Sequence, residues 1–503
     1  MTETATPPVT LPETFTVTNP ATGESVGTFD VHTAADIADR LAAGRVAQVW
    51  WAGLGYAERK KRLNRWIAAI AQRSDEICDL GFTETGRPRG DVQFELIAGL
   101  EDVRWAAAHA KRVLKPRKVA PGMAMFNFSA QVSYPALGVV GVIAPWNVPI
   151  YTVLCGLAYA LGAGNAAIVK PSEYAPASSI LVMEAFYAAN PDAPKGLITW
   201  VTGFAETGSA LCTAGLDKIA FTGSVPTGRK VMAACAQNLT PVLLELGGKD
   251  VTIVAEDADV EKAATAVVWG GFFNGGQACV GIERVYVTRA VREPFLAKVK
   301  EIAGQVTTGL DENASYGPMI VPAQIDLVRR HVTDALAAGA TALVGGVDSI
   351  RAPFVDPVVL VDVPEDCSAV QEETFGPVIV INTVADVEEA LTKANATKFG
   401  LGSSVFSAKR GKEIAARLKA GGTTINSVLT FVGMPSVPFG GIGDSGFGRF
   451  HGDDGLREFA APKATTSKKF QLGPDMQSFP RRAEDFDQVR KMVKFRYAKR
   501  RGV

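Results

Sequence analysis

The chain has 503 residues, 47% hydrophobic and 21% charged, a balance that suits a globular protein of about two or three domains and excludes a disordered one. Lys plus Arg and Asp plus Glu both number 52, so no overall charge bias favours nucleic acid or an anionic membrane. No apolar run reaches the length of a membrane span, and the opening MTETATPPVTLPE lacks the basic start and apolar core of a signal peptide.

Residues 34–72 and 91–113 are Ala-rich with apolar residues at helical spacing, and Trp50, Trp51, Leu63 and Trp66 are expected in the core. Residues 118–136 alternate apolar and polar side chains, which predicts an extended hairpin arm. Short apolar strands then alternate with helices. The strands fall at 137–144, 166–169, 197–201, 219–222 and 242–246, and the helices at 150–161, 177–189, 206–213 and 225–237. That alternation implies an α/β fold with a parallel sheet covered on both faces, whose ligands bind beyond the carboxyl ends of the strands. A second α/β stretch covers about 250–450, with helices near 260–270, 290–304, 322–339 and 410–420. The tail RRAEDFDQVRKMVKFRYAKRRGV predicts a basic helix, either a solvated or subunit-contacting extension or an anionic-surface contact.

Six cysteines (78, 155, 212, 235, 279, 367) and four histidines (32, 109, 331, 451) are dispersed, with no C-x-x-C pair. Neither a metal site nor a disulfide framework is expected, and a reducing cytoplasm fits best.

Six segments carry chemistry. In Asn274-Gly275-Gly276-Gln277-Ala278-Cys279, two glycines allow a tight turn. A cysteine just beyond it can offer a nucleophilic sulfur and its own N–H to an oxyanion. In Glu245-Leu246-Gly247-Gly248-Lys249 a carboxylate ends an apolar strand, which favours a raised pKa and general-base use, or else a structural bond to the turn. Asn147, in Pro145-Trp146-Asn147-Val148-Pro149, carries an amide that can point into the crevice or merely cap a turn. Lys170 and Glu173 follow a strand and can bond ribose hydroxyls, and Glu173 would repel a 2′-phosphate. Gly223, in Phe221-Thr222-Gly223-Ser224, lies at a strand-to-helix junction where backbone N–H groups can meet a pyrophosphate, although no G-x-G-x-x-G follows any strand. Glu372-Glu373-Thr374-Phe375-Gly376-Pro377 offers carboxylates and a ring that can pack on a planar ligand.

PWN at 145–147, KPSE at 170–173, FTGS at 221–224, LELGGK at 244–249, GQAC at 276–279 and EETFGP at 372–377, in that order, resemble the aldehyde dehydrogenase superfamily over nearly the whole chain. The His451-Gly452 to Gly455 continuation resembles the branch with class-three-like and some succinic semialdehyde dehydrogenases, and a lone His451 is expected to be structural there. The resemblance implies a Rossmann-type cofactor domain (1–117 and 137–246), an α/β catalytic domain (247–455), a β-arm for oligomerisation (118–136 and 456–472) and a basic extension (473–503). It implies Cys279 as nucleophile, Glu245 as general base, and the Asn147 amide with the Cys279 N–H as oxyanion donors. The cofactor, NAD with NADP possible, would meet Trp146, Lys170, Glu173, Gly203, Phe221, Gly223, Ser224, Gly228, Glu373 and Phe375. A homodimer or homotetramer is implied as well.

Ser427 to Met434 resembles the family's loop at the substrate entrance and carries no Arg or Lys. A carboxylate-bearing substrate wants such a cation. An apolar aliphatic or aromatic aldehyde is therefore expected, unless an Arg from elsewhere, such as Arg284, reaches the site. The alternatives are a succinic semialdehyde dehydrogenase, a coenzyme A-acylating enzyme, and a binding protein that keeps the fold.

Overall fold

In the computed structural model, residues 12–311, 313–471, 479 and 483–498 are described. The chain divides into two units, residues 1–114 with 135–461, and residues 115–134 with 462–503.

The larger unit holds two sheets. The first has six strands in the order Gly446–Phe447, Val242–Glu245, Lys218–Thr222, Val139–Ile143, Ala166–Lys170, Ile198–Trp200. All pair in parallel except Gly446–Phe447, which runs antiparallel to Val242–Glu245. From Val139–Ile143 the chain winds outward to Ala166–Lys170 and Ile198–Trp200. It then returns to the other side of Val139–Ile143 with Lys218–Thr222. That reversal is the switch point of a doubly wound sheet and opens a crevice at the carboxyl ends of the strands. The strands Val139–Ile143 and Ala166–Lys170 are buried at every residue, as a sheet covered on both faces requires.

The second sheet has seven strands in the order Thr341–Val344, Val358–Val361, Val378–Val384, Ile282–Thr288, Asp250–Val254, Gly402–Phe406, Gly422–Ile425, with only the first edge strand antiparallel.

Residues 34–72, read as one helical stretch, form two helices, Ala34–Gly53 and Gly55–Gln72. Gly55 takes φ +72°, which ends the first helix and turns the chain. A capping box of Thr33 and Asp36 starts the first. The helix expected at 410–420 is only Gly411–Ala415.

In the smaller unit, Arg117–Val119 and Phe128–Ser133 pair antiparallel, as an arm should, and Lys463–Lys468 adds a third strand to Phe128–Ser133. The basic helix is Ala483–Tyr497. The remainder of the basic tail and the first eleven residues lie outside the described residues. No helix among the described residues is long and apolar enough to cross a membrane.

Candidate active site

A cavity of about 980 Å³ opens where the two sheets of the larger unit present their strand ends, a volume within the range of small-molecule sites. Its wall includes Trp146, Asn147, Gly223, Ser224, Glu245, Cys279, Glu373 and Phe375. Lys170, Glu173, Gly203, Phe221 and Gly228 stand outside that wall, on or beyond the same strand ends.

Cys279 is presented by an unusual turn. Helix Val260–Phe272 ends and Asn274, Gly275 and Gly276 follow at φ 56°, 63° and 70°. Three consecutive left-handed residues suit only Asn and Gly. A Cβ at Gly276 would collide with the carbonyl of Gly376. The Asn274 side-chain amide donates to the carbonyls of Asn147 (3.1 Å) and Gln277 (3.1 Å). The Gln277 side chain donates to the Asn274 carbonyl (2.9 Å) and accepts from the Ile320 N–H (2.9 Å). Asn147 Nδ2 donates to the Gln277 carbonyl at 2.9 Å. One N–H of the Asn147 amide thus locks its orientation while the group remains on the cavity wall.

Glu245 closes the Val242–Glu245 strand and is buried. Neither carboxyl oxygen has a hydrogen-bond partner among the described residues. Burial pushes its pKa well above the usual carboxylate range, opposed only by the nearby Arg449 cation. The half-buried Cys279 thiol is pushed up as well, first by burial and then by the carboxylates of Asp250, Glu245 and Glu373. Asp250 and Glu373 are each raised to about 8, mainly by burial.

Burial, and the three carboxyl groups once they ionise, disfavour the thiol's anion, and a cationic ring would offset both. Glu373 Oε1 accepts from the Gly248 N–H at 2.9 Å. Phe375, at φ 50°, meets Trp146 edge to face at 5.4 Å. Ser224 caps helix Val225–Ala236, whose first N–H groups face the crevice end of the sheet. Gly223 packs on the Phe221 ring, Gly228 on Leu246 and Gly203 on Thr207, each too closely for a Cβ. Lys170 is only 5% exposed. Its ammonium finds the Pro171 carbonyl at 3.4 Å and Glu173 at 3.7 Å, which leaves donors available, and burial lowers its pKa. These groups fit a dinucleotide with a cationic ring.

Sequence reasoning missed Asp250, Tyr151 and Glu283. Glu283 forms a buried ion pair with Lys249 and accepts from the N–H groups of Thr374 (2.8 Å) and Phe375 (2.9 Å). Lys249 also donates to Thr374 Oγ1 at 3.0 Å, and His331 Nδ1 meets the same hydroxyl at 3.0 Å. The loop that carries Glu373 is therefore pinned from beneath. The available signal was a pair of adjacent charges, Glu283 and Arg284, in a strand that is buried throughout, Ile282–Thr288. Arg284 does not reach the site: it donates to the Lys249 carbonyl at 3.0 Å and the Ala394 carbonyl at 3.2 Å.

A doubly wound sheet with a thiol, an amide and a carboxyl that has no partner among the described residues at its crevice defines an α/β enzyme site suited to covalent chemistry on a carbonyl carbon. The sequence model of the Aldehyde dehydrogenase family matches residues 8–465, and the chain belongs to that family. The 4,4'-diapolycopene aldehyde oxidase of a Methylomonas species is 36% identical over 96% of this chain and 91% of its own length. A Mycolicibacterium smegmatis protein that carries the name of an NADP(+) succinate-semialdehyde dehydrogenase is 36% identical over 90% of this chain and 89% of its own. The crystal structure of an NAD-dependent aldehyde dehydrogenase from Sinorhizobium meliloti superposes with TM-score 0.87 at 32% identity, covering 92% and 93% of the two chains. The protein is an NAD(P)-dependent aldehyde dehydrogenase.

Proposed function

We propose that the chain oxidises an apolar aliphatic or aromatic aldehyde to its acid through a thioester on Cys279, with NAD favoured over NADP. The observation that carries this reading is the shared cavity wall of Cys279, Glu245 and Asn147, surrounded by Phe94, Trp269, Phe273, Leu429, Val432 and Phe439. Among the described residues the cations on that wall are Arg229 and Lys398, and both already face Asp444, at 3.0 Å and 3.8 Å. The two cations share that one carboxylate and are mostly exposed, so the apolar lining rather than the charge count supports this substrate class.

Glu245 takes the Cys279 proton and releases it to solvent, and the sulfur adds to the carbonyl carbon. The Asn147 amide and the Cys279 N–H stabilise the oxyanion, each worth a few kcal/mol in comparable sites, about 3. When bound, the nicotinamide dinucleotide supplies hydride acceptance. Trp146, Glu373 and Phe375 would flank its ring and ribose, Gly223, Ser224 and Gly228 its pyrophosphate, and Lys170 and Glu173 its adenosine ribose, with Gly203 and Phe221 shaping the strand ends. Glu245 then takes a proton from water, which attacks the thioester and releases the acid. Glu245 supports hydrolysis over transfer to coenzyme A, and Glu173 supports NAD because its charge opposes a 2′-phosphate.

The division into a cofactor domain, a catalytic domain and an oligomerisation arm belongs to this proposal. So does a homodimer or homotetramer in the cytoplasm. Support comes from strand Lys463–Lys468, exposed at all six residues, as an edge available to a second copy, and from six free cysteines, which suit a reducing compartment. An aldehyde panel followed at the NADH absorbance tests the chemistry. Apolar aldehydes with NAD should give the highest kcat/KM. A preference for succinic semialdehyde, or a strict need for coenzyme A, would overturn the substrate reading. Light scattering that gave a monomer would overturn the assembly.

A further inference from the structure

One buried polar cluster beside the cavity takes no part in the chemistry above. Tyr151, Cys155 and Tyr159 lie at four-residue spacing on helix Pro149–Ala163, hence on one face. Asp102 comes from helix Arg89–Leu114, and His451 precedes helix Gly452–Glu458. Asp102 and His451 are both 0% exposed. His451 Nε2 stands 3.2 Å from Asp102 Oδ2 and 3.1 Å from the Tyr151 hydroxyl. The Tyr159 hydroxyl donates to Asp102 Oδ1 at 3.3 Å. His451 is held at φ 59°, a strained conformation for a non-glycine residue.

The direction of the hydrogen bonds follows from the donors available. A carboxylate can only accept, so Nε2 of His451 carries the hydrogen that faces Asp102. Nδ1 has no partner among the described residues, which suits a bare lone pair better than a buried N–H. With that hydrogen on Nε2, the Tyr151 hydroxyl cannot donate to it, and its oxygen can only share the N–H with Asp102. The phenolic proton must point elsewhere. Its partner within the cluster is the Cys155 sulfur one turn along the helix, a weak acceptor that a better one can displace. Both Tyr151 and Cys155 lie on the cavity wall. Burial raises the Tyr151 pKa far enough to keep the phenol protonated.

We propose that Tyr151, oriented by the His451–Asp102 pair, is a specificity-determining donor for an ether, carbonyl or hydroxyl oxygen that the aldehyde substrate carries away from its reacting carbon. The inference rests on the apolar-aldehyde reading and narrows it to apolar bodies bearing one acceptor oxygen. His451 and Asp102 act through Tyr151 and are positioning residues.

Matched aldehydes provide the test: meta- and para-methoxybenzaldehyde against the ethylbenzaldehydes of the same shape, with NAD, on wild type, Tyr151→Phe, His451→Gln and His451→Leu. In wild type at least one methoxy isomer should exceed its ethyl partner in kcat/KM by about fivefold to tenfold, the worth of one net hydrogen bond. Tyr151→Phe should abolish that preference through KM, bringing each methoxy substrate down to the level of its ethyl partner. His451→Gln, whose amide can still donate to the phenol, should retain more of the preference than His451→Leu. Wild type without a methoxy preference, or an equal loss on both members of each pair in Tyr151→Phe, would overturn the proposal. The equal loss would mean that the phenol serves the carbonyl oxygen. No NADH from any of the four aldehydes with wild type would instead overturn the substrate class, and this inference with it.

Discussion

Glu245 and Glu283 are two glutamates buried at strand ends in the same unit, and they are treated in opposite ways. Glu283 is fully engaged, by Lys249 and by the N–H groups of Thr374 and Phe375. Glu245 has no partner at either oxygen among the described residues and faces the cavity. A buried carboxylate with every lone pair used is scaffold. One left bare carries a desolvation cost that only a transient partner can offset, and a water in the act of attack is such a partner.

The first way to break that comparison is to remove what both glutamates serve. Cys279→Ala should bring NADH production to the background level, while nucleotide binding, followed by tryptophan fluorescence, persists. Next, Glu245→Gln should lower kcat by about 10²–10⁴-fold, the range of a lost general base, and an acyl adduct on the protein should appear by mass spectrometry. Because burial raises the Glu245 pKa, its base form is populated only above the ordinary carboxylate range. Wild-type kcat should therefore rise with pH, and the variant should lose that limb. The linked stability runs the opposite way. A raised folded pKa stabilises the fold below the unfolded value and loses that contribution as pH rises through the folded one. Glu245→Gln should accordingly melt no lower than wild type at alkaline pH.

Glu283→Gln should do the reverse. Breaking a buried pair costs about 3–5 kcal/mol, so its denaturant midpoint should fall clearly while any remaining folded enzyme keeps its pH profile. A variant as stable as wild type would erase the distinction between the two glutamates. The smallest effect is expected at Lys170. Lys170→Met should weaken NAD binding about tenfold, the loss of one or two charge-assisted hydrogen bonds, with kcat at saturating NAD unchanged.

The positions that sequence made legible are local. Each strand-end motif carries its glycine or proline beside its polar residue, so Asn147, Lys170, Gly223, Glu245 and Cys279 could be marked within windows of a few residues. The alternation of strands and helices likewise marked the parallel sheet. What escaped depends on distant pairing. Glu283 gains its meaning from a loop 91 residues away, and His451 meets Asp102 across 349 residues. Neither contact leaves a spacing to read. The break at Gly55 was missed because apolar periodicity runs on through it. Whether Arg284 reaches the site was left open for a related reason: a guanidinium can satisfy itself on backbone carbonyls, and sequence does not show where those carbonyls end up.

Gly276 stands against the Gly376 carbonyl with no room for even one methyl group between them. Gly376 ends the loop of Glu373 and Phe375, and Gly276 begins the approach to Cys279. The Cys279 turn and the Glu373 loop thus pack backbone against backbone. Any side chain at position 276 would have to push these two segments apart, so the close approach of the turn to the loop requires a glycine.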